Sequence, residues 1–362
     1  MDNVLHAAFI GCGSIARKKH LPLAAEDPRL HIAALYDKDR NAACECKNLF
    51  GHRDTMIAED PSSIFASKDI DVVFVATPNN THAVYAIGAL TAKKHVICEK
   101  PMALNAGDAQ KMLLAAKENR RLLHISYQNR YTNQALFVKR LFDGNFFPEV
   151  YYAKAYAIRR RAVPTWGATM DRSAQGGGPL IDIGSHALDL AMWLSNNFEP
   201  AYAVGATYDK IAKRGSEANY WGNWDPKKNG VEDCALGFVV MKNGMTLTVD
   251  ATYALNTVTE LEASVDLFGA AGGIQLREED RVVMVQEMGG RMCLTENKMQ
   301  ESLRSLTPRE RTMSASAREH QAFMGLLMEG RFQDPSAEQA YAVSCVVDGL
   351  YRSAQTRQPV FF

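Results

Sequence analysis

Residues 4–16 read VLHAAFIGCGSIA, an apolar run with strand character that leads directly into a glycine-rich turn. Gly11, Gly13 and Ala16 occupy the small positions of a G-x-G-x-x-A motif, and helix-like sequence continues from residue 14 to residue 25. The first glycine permits a tight turn, the second lets a ligand approach the backbone, and the alanine lets helix and strand pack closely. A strand, a turn and a helix in this order predict the start of a doubly wound α/β sheet.

The glycine turn also predicts a class of ligand. Backbone N–H groups near Ser14 and Ile15 would face an anion at the positive end of the helix dipole. The next predicted strand, residues 30–36, is followed by Asp37, whose carboxylate can bind both ribose hydroxyls of NAD and would repel the 2′-phosphate of NADP. Neighbouring cations could offset that repulsion. We therefore expect NAD rather than NADP; the alternative is an ordinary strand–helix turn followed by a surface aspartate.

The first third of the chain alternates short apolar runs with helix-like stretches. The predicted strands are residues 4–10, 30–36, 71–76, 95–98 and 122–125, and the predicted helices are residues 14–25, 40–50, 81–92 and 105–119. Apolar strands separated by helices indicate a parallel sheet covered on both faces. Pro22 interrupts this pattern, since proline should kink or end the first helix.

The later part of the chain has a different pattern, with strands that follow one another closely. The candidates are residues 150–158, 201–208, 234–241, 245–254, 261–268 and 281–286, with a tight hairpin at residues 242–244. This succession predicts an antiparallel sheet, and helical patterning returns after residue 307. We expect a dinucleotide-binding domain over residues 1–126 and a substrate-binding and oligomerisation domain over residues 127–362, whose last helix can pack back on the first domain.

Composition excludes several classes of protein. The chain has 362 residues, with 41 Lys and Arg against 41 Asp and Glu, and 47% of its residues are apolar. That length predicts two domains, and the balanced charge argues against a nucleic-acid or membrane-surface partner, since both need a basic excess. Seven cysteines without a C-x-x-C pair indicate reduced thiols, and neither a signal peptide nor a membrane span is evident. We expect a cytoplasmic protein.

Two polar clusters follow strands of the predicted parallel sheet. They are Thr77, Pro78 and Asn79 with His82 after one strand, and Glu99, Lys100 and Pro101 after the next. Ligands of such sheets bind beyond the carboxyl ends of the strands, so both clusters should lie at the same edge as the glycine turn. A lysine there can donate to a substrate hydroxyl and favour its oxyanion-like form. The alternative is a surface charge before a helix.

A third cluster lies on the predicted helix that follows three consecutive glycines at residues 176–178. Asp182, His186 and Asp189 are spaced i, i+4 and i+7, so one helix face should carry all three. Histidine is the side chain best suited to exchange protons near neutral pH. The alternative is a hydrogen-bonded core histidine with two solvated aspartates. The same spacing could hold a metal ion, but no further ligand cluster accompanies it, so we expect no metal.

Together these motifs resemble the Gfo/Idh/MocA family of sugar and cyclitol dehydrogenases. The resemblance rests on the glycine turn, the cluster at residues 76–82, the Glu99-Lys100-Pro101 sequence, and the triple glycine followed by Asp182 and His186. It implies a Rossmann domain followed by an α/β domain with an open, mostly antiparallel sheet. It also implies hydride transfer between nicotinamide and a carbinol carbon of a sugar, glycoside or cyclitol.

The resemblance further implies residue roles. Lys100 would orient and polarise the reacting hydroxyl, His186 would act as general base or acid, and Asp182 would hold the sugar hydroxyls or the histidine. The implied cofactor contacts are Gly11, Gly13, Ser14, Ile15, Ala16, Asp37, Thr77, Pro78, Asn79, His82, Glu99, Lys100, Gln128 and Arg130. The implied substrate contacts are Lys100, Arg130, Trp166, Asp182 and His186. A homodimer or homotetramer through the second sheet is also implied.

Other expectations concern surfaces and rival functions. The loop at residues 209–230 carries Tyr220, Trp221 and Trp224, which either cap a sugar site or anchor the loop. The arginines at residues 159–161 are expected to be solvated; the alternative is that one of them reaches the cofactor or the substrate. Relatives of this kind can also be redox-neutral glycosidases that oxidise, eliminate and keep NAD bound. A third alternative is a non-catalytic NAD(P)-binding regulator, which would be free to lose Lys100 and His186.

Overall fold

The computed structural model describes residues 4–144, 149–277, 281–298, 312–332 and 334–362. The chain divides into two compact units, of which the first comprises residues 1–126 with 316–341 and the second comprises residues 127–315 with 342–362. The second unit therefore begins where the alternating strand–helix pattern of the sequence stops.

Short strands and helices build both units. The strands are β1 (Leu5–Ile10), β2 (Leu30–Tyr36), β3 (Met56–Ile57), β4 (Val72–Val75), β5 (His95–Glu99), β6 (Leu123–Ser126), β7 (Tyr152–Ile158), β8 (Pro200–Tyr208), β9 (Cys234–Met241), β10 (Thr246–Thr252), β11 (Leu261–Gly269), β12 (Gly272–Arg277), β13 (Arg281–Met288), β14 (Arg291–Lys298) and β15 (Val360–Phe361). The α-helices are α1 (Leu21–Glu26), α2 (Arg40–Phe50), α3 (Pro61–Ala66), α4 (Asn79–Thr91), α5 (Ala106–Asn119), α6 (Asn133–Asp143), α7 (Arg172–Gln175), α8 (Ser185–Leu194), α9 (Ala315–Met328) and α10 (Ser336–Thr356). Within the described ranges, none of these helices combines the length and apolar character needed to cross a bilayer.

The first unit contains a six-stranded sheet in the order β3-β2-β1-β4-β5-β6, and every neighbouring pair is parallel. The predicted parallel sheet is thus confirmed. Of its two central strands, β4 is wholly apolar and buried, and the last four residues of β1 are buried and apolar, because both faces of the sheet are covered here. Phe9 of β1 and Phe74 of β4 stack in this core with ring centroids 4.4 Å apart. Side chains of Asp39, Asp60 and Asn105 accept backbone N–H groups at the starts of α2, α3 and α5.

The first helix begins differently from the prediction. A π-helical turn, Ala16–His20, leads into α1, and Pro22 lies in the first turn of α1. A proline at that position loses no hydrogen bond, because the first N–H groups of a helix have no partner within it. The sequence predicted a kink or an end of the first helix at Pro22, and in the structure the π-helical turn ends at His20 and α1 begins at Leu21, next to the proline.

The second unit is built on a nine-stranded sheet in the order β14-β13-β12-β11-β7-β10-β9-β8-β15. β7 and β10 are parallel to each other, and the other neighbouring pairs are antiparallel. This confirms the expected mostly antiparallel sheet. The predicted hairpin joins β9 to β10, and Gly244 has φ of +90°, a value that favours glycine.

Four strands lie outside the predicted pattern. β3 and β15 have two residues each, too few for any periodicity to show. β12 begins with two glycines, which read as a turn. β14 mixes polar and apolar residues because it is an edge strand with limited burial.

One face of the large sheet is covered by α8, which packs on β7 and β11. Alternate residues of β7, Ala153, Ala155 and Ala157, are buried and small enough to let the helix approach closely. The turn before α8 is equally tight, since a Cβ added to Gly184 would lie 2.9 Å from Cβ of Ala251 in β10. This packing places the start of α8 beside the ends of β7 and β10.

Candidate active site

The glycine turn after β1 is shaped to receive a ligand. Gly11 has φ of +99°, and a Cβ there would lie 2.4 Å from the carbonyl oxygen of Ala76, so only glycine fits. Gly13 has open space beside it, and Ser14 and Ile15 are exposed. The turn therefore has an accessible backbone at Gly13, followed by exposed residues at the start of a helix. This shape fits a pyrophosphate.

Asp37 lies next to this turn, directly after β2. Its Oδ2 accepts the N–H of Cys12 at 2.7 Å, and its Oδ1 accepts the N–H of Asp39 at 2.9 Å. Each carboxylate oxygen has two acceptor sites, so these bonds fix the group and leave capacity for a diol. The geometry of the turn thus fits a pyrophosphate and that of Asp37 fits a ribose diol; these cofactor contacts stay predictions.

His82 joins the turns that follow β4 and β5. Its Nδ1 lies 2.8 Å from the carbonyl oxygen of Pro101, and its Nε2 lies 2.9 Å from that of Thr77. Full burial lowers the pKa of His82, although the two carbonyl oxygens, which can only accept from ring N–H groups, act in the opposite direction. His82 thus holds the turn after β4 against the turn that carries Lys100, and its expected cofactor contact stays a prediction.

Glu99 is held from inside the first unit. Its Oε1 accepts from Lys19 Nζ at 2.9 Å and lies 2.7 Å from His20 Nε2. Lys19 also lies 3.0 Å from Glu319 of α9 and donates to Ser126 at 2.6 Å. Burial raises the pKa of Glu99, but Lys19 and His20 outweigh burial and hold this pKa well below its usual range. This network fixes the end of β5, next to Lys100; the expected cofactor contact of Glu99 stays a prediction.

In the second unit, a π-helical turn, Leu180–Gly184, precedes α8 and carries Asp182. π-Helical turns are rare in proteins, and a large share of those that occur lie at functional sites. Asp182 Oδ2 accepts a bond of 2.6 Å from the hydroxyl of Tyr253, which follows β10. Burial, and then Asp182 itself, raise the pKa of Tyr253, so this tyrosine stays a donor. His186, in the first turn of α8, packs edge-on with Tyr127 at a centroid distance of 6.0 Å.

Asp189 has a structural partner. It is fully buried, and its carboxylate receives Arg130 Nε at 2.8 Å and Nη2 at 2.5 Å. Burial lowers the pKa of Arg130, but Asp189 outweighs it and the pKa rises. Three aromatic rings lie 5.8 Å from the same guanidinium. The alternative of a solvated Asp189 is therefore wrong. Arg130 holds Asp189 of α8 in place, a role that the sequence did not indicate.

The loop at residues 209–230 divides between its two expected roles. Trp224 is buried and its indole N–H donates to a backbone carbonyl of the loop at 2.6 Å, so it is an anchor. Trp221 instead lies in an aromatic cluster, with ring centroids 5.5 Å from Tyr220 and 4.8 Å from Trp166. Trp166 is 50% exposed and so remains available to a ligand.

Of the three consecutive arginines after β7, Arg160 is exposed as expected, whereas Arg159 and Arg161 are partly buried. Arg159 forms a two-point ion pair with Glu262 and lies 5.2 Å from the ring of Trp221. Arg160 and Arg161 donate to backbone carbonyls of the segment between β10 and β11. A run of like charge is tolerated here because each guanidinium has acceptors in one neighbouring segment.

Three further predicted cofactor contacts lie at the starts of helical segments. Gln128 begins a short 3₁₀ turn, Gln128–Tyr131, Pro78 is exposed, and Asn79 is the first residue of α4. Their cofactor contacts stay predictions.

The sequence alone did not identify Tyr253 and Arg159 beside Asp182. Their only signal is their position. They follow β10 and β7, parallel neighbours whose last residues, Thr252 and Ile158, pair in register. Residues that follow parallel strands meet at one edge, but the strand pairing is not readable from the sequence.

Two family models match the chain. One, described as an oxidoreductase family with an NAD-binding Rossmann fold, matches residues 5–127, and the other, the C-terminal alpha/beta domain of the same oxidoreductase family, matches residues 139–362. The chain is 30% identical to D-glucoside 3-dehydrogenase of Escherichia coli (strain K12) over 97% of this chain and 96% of that protein. It is 24% identical to inositol 2-dehydrogenase of Acidothermus cellulolyticus over 98% of this chain and 94% of that protein.

A solved structure has the same fold over the full length. Levoglucosan dehydrogenase in complex with NADH and levoglucosan matches with a TM-score of 0.81 and 22% identity, covering 99% of each chain. The arrangement of the two sheets within their own units is thus that of a known oxidoreductase fold.

Proposed function

The chain belongs to the Gfo/Idh/MocA family of oxidoreductases, and from that membership we propose that it transfers a hydride between nicotinamide and a carbinol carbon of a sugar, a glycoside or a cyclitol. The observation that carries the proposal is the full-length match to D-glucoside 3-dehydrogenase. That match favours a glucoside over a cyclitol. The match to inositol 2-dehydrogenase also covers nearly the whole chain, but its sequence identity is lower.

The cofactor we propose is NAD. The cradle at Gly11 and Gly13 would hold its pyrophosphate, and Asp37 would hold its adenine ribose. When bound, its nicotinamide ring supplies an acceptor for the hydride that leaves the carbinol carbon. The fit rests on the open space beside Gly13 and on the spare acceptor capacity of Asp37.

The residues that act on the substrate are proposed to be Lys100, His186 and Asp182. A hydride leaves a carbinol carbon only as the neighbouring hydroxyl loses its proton, so a base must reach that oxygen. Lys100 would donate to the oxygen and stabilise its developing charge, and His186 would take the proton. Asp182, oriented by Tyr253, would accept hydrogen bonds from neighbouring hydroxyls of the sugar.

A substrate panel tests this function. NAD or NADP is mixed with methyl glucosides, inositols, levoglucosan and free aldoses, NADH or NADPH is followed by absorbance, and products are identified. Net NADH with an oxidised sugar supports the proposal. Release of an aglycone without net NADH would assign the redox-neutral glycosidase instead, and no reaction with any member would favour a non-catalytic binding protein.

Replacing Asp37 by serine tests the cofactor. The serine removes the negative charge that would repel a 2′-phosphate and the acceptor of both ribose hydroxyls. We expect the ratio of kcat/KM for NAD to that for NADP to fall by roughly 10- to 100-fold, the value of a hydrogen bond to a charged group. Asp39→Ser is the control, because Asp39 is exposed and a serine still caps α2. An unchanged ratio in Asp37→Ser would reject ribose binding by Asp37.

We also propose a homo-oligomer that forms through the large sheet. Val204 of β8 and Phe238 of β9 are register partners, and both are about 40% exposed, as is Leu236. Adjacent exposed apolar residues on a sheet face are typical of a protein interface. Analytical ultracentrifugation of the wild type and of Phe238→Glu checks this: we expect a dimer or tetramer that the glutamate dissociates. A wild-type monomer at micromolar concentration contradicts it.

A further inference from the structure

The second unit contains a recess beside the arginines that follow β7. It has a volume of about 550 Å³, within the range of small-molecule pockets, roughly 300–1,000 Å³. Arg159, Tyr220, Trp221 and Glu262 are among its lining residues. Tyr220 is 80% exposed, an unusual state for an aromatic ring that lines a cavity. The recess therefore offers ring surface to whatever enters it.

The wall of this recess is fixed by hydrogen bonds. The N–H of Tyr220 donates to the carbonyl of Arg161 at 2.9 Å, and the hydroxyl of Thr165 donates to the carbonyl of Trp221 at 2.9 Å. Asn219 bonds to both the N–H and the carbonyl of Val163. The backbone that carries the two aromatic residues is thus held by the segment after β7, and a ligand would not have to order this backbone.

The charges in the recess largely cancel. Arg159 is paired with Glu262, and Arg160 lies 3.5 Å from Glu260. The guanidinium of Arg161 donates to backbone carbonyls and to the side chain of a neighbouring asparagine. An occupant therefore needs no strong charge. A neutral ring with an apolar face suits the exposed aromatic surface better than an anion does.

The recess adjoins the residues proposed to hold the sugar. The N–H of Arg159 donates to the carbonyl of Thr252 at 3.1 Å, and Thr252 precedes Tyr253, the partner of Asp182. Burial lowers the pKa of the Arg159 guanidinium, but Glu262, Asp182 and Tyr253 outweigh burial and raise it. Arg159 is thus close both to the Asp182–Tyr253 pair and to the ring of Trp221.

Resting on the proposed function, we propose that this recess binds the substituent on the anomeric oxygen of a glycoside, and that this substituent presents a neutral ring face, either an aryl aglycone or a second sugar. Asp182 and Tyr253 hold the sugar that is oxidised, and Tyr220 and Trp221 stack on the neighbouring ring. The substrate class is then a glycoside with a cyclic substituent rather than a free sugar.

The test compares kcat/KM for methyl glucoside, phenyl glucoside and a glucose disaccharide, each in both anomers, in wild type and in Trp221→Ala. We expect wild type to prefer at least one ring-bearing glycoside over methyl glucoside. Trp221→Ala lowers that preference by roughly three- to ten-fold, the contribution of one aromatic stacking contact. Trp221→Phe keeps a ring and retains most of the preference. Tyr151→Ala removes an exposed ring outside the recess and leaves the preference unchanged.

The outcomes separate this inference from the proposed function. If only phenyl glucoside has a higher kcat/KM than methyl glucoside, the occupant is an aryl aglycone. If only the disaccharide has a higher kcat/KM than methyl glucoside, the occupant is a second sugar. Equal kcat/KM for methyl and ring-bearing glycosides in wild type overturns the inference and leaves the dehydrogenase proposal intact. A preference that Trp221→Ala does not alter also overturns it. Absence of NADH from every glycoside, with free sugars or inositols oxidised, shows that glycosides are not the substrate.

Discussion

His186→Ala is expected to lower turnover by roughly 10²- to 10⁴-fold, the usual contribution of general acid–base catalysis, with NAD binding unchanged. The imidazole is proposed to remove the hydroxyl proton as the hydride departs, and water cannot be held in its place with the same orientation. His186 packs edge-on against Tyr127, whereas the dinucleotide is proposed to bind at Gly11, Gly13 and Asp37. The loss should therefore appear in kcat and not in the dissociation constant of NAD, measured by calorimetry.

Lys100→Ala is expected to reduce turnover over the same range, because the ammonium is proposed to stabilise charge on the oxygen from which His186 would take the proton. If the two groups act on one oxygen, the double variant loses little more than the worse single variant, since residues that act as a unit are strongly non-additive. Full additivity would assign them to separate steps. His52→Ala, at an exposed histidine of the first unit, is the control and should keep wild-type turnover. Near-normal turnover in both single variants would reject the proposed roles.

The sequence predicted the first sheet well because its signals are local. Buried parallel strands are short apolar runs, and Gly11 and Asp37 mark the ends of two of them. The glycine at residue 11 is dictated by the Ala76 carbonyl that a side chain would strike. Such positions permit one residue type, so a motif can reveal them.

The parts that were not predicted depend on contacts between distant segments. Arg130 and Asp189 are 59 residues apart and form one buried pair, and nothing in either segment identifies the other. The arginines after β7 read as solvated because a charge run usually is, yet their acceptors lie about 100 residues later in the chain. Lone tyrosines such as Tyr253 carry no motif at all. Pairings of this kind depend on strand order, which the sequence pattern leaves open.

The largest effect on stability is expected from Lys19→Met, which should lower the free energy of unfolding by roughly 3–5 kcal/mol at pH 7, the cost of breaking a buried ion pair. Lys19, Glu99 and Glu319 are all nearly fully buried, and the ammonium lies 2.9 and 3.0 Å from the two carboxylates. Methionine fills similar space and removes the ammonium that the two carboxylates share. Lys18→Met, the neighbouring exposed lysine, should have little effect.

The pH dependence of this loss distinguishes charge from packing. Burial raises the pKa of Glu319, but Lys19 and His124 outweigh burial and lower it from 4.5 to about 2. A depressed pKa contributes stability that is present above 4.5 and is lost only as the pH falls towards 2. In Lys19→Met, burial acts on both carboxyl groups without the ammonium, so they take up protons at higher pH than in wild type, and protonation relieves the repulsion. The difference between variant and wild type should therefore shrink from pH 7 to pH 4.5 in urea unfolding. Combining Lys19→Met with Glu319→Gln should recover part of the loss at pH 7. A deficit that stays constant with pH and that the second substitution does not reduce would mean that the lysine contributes packing alone.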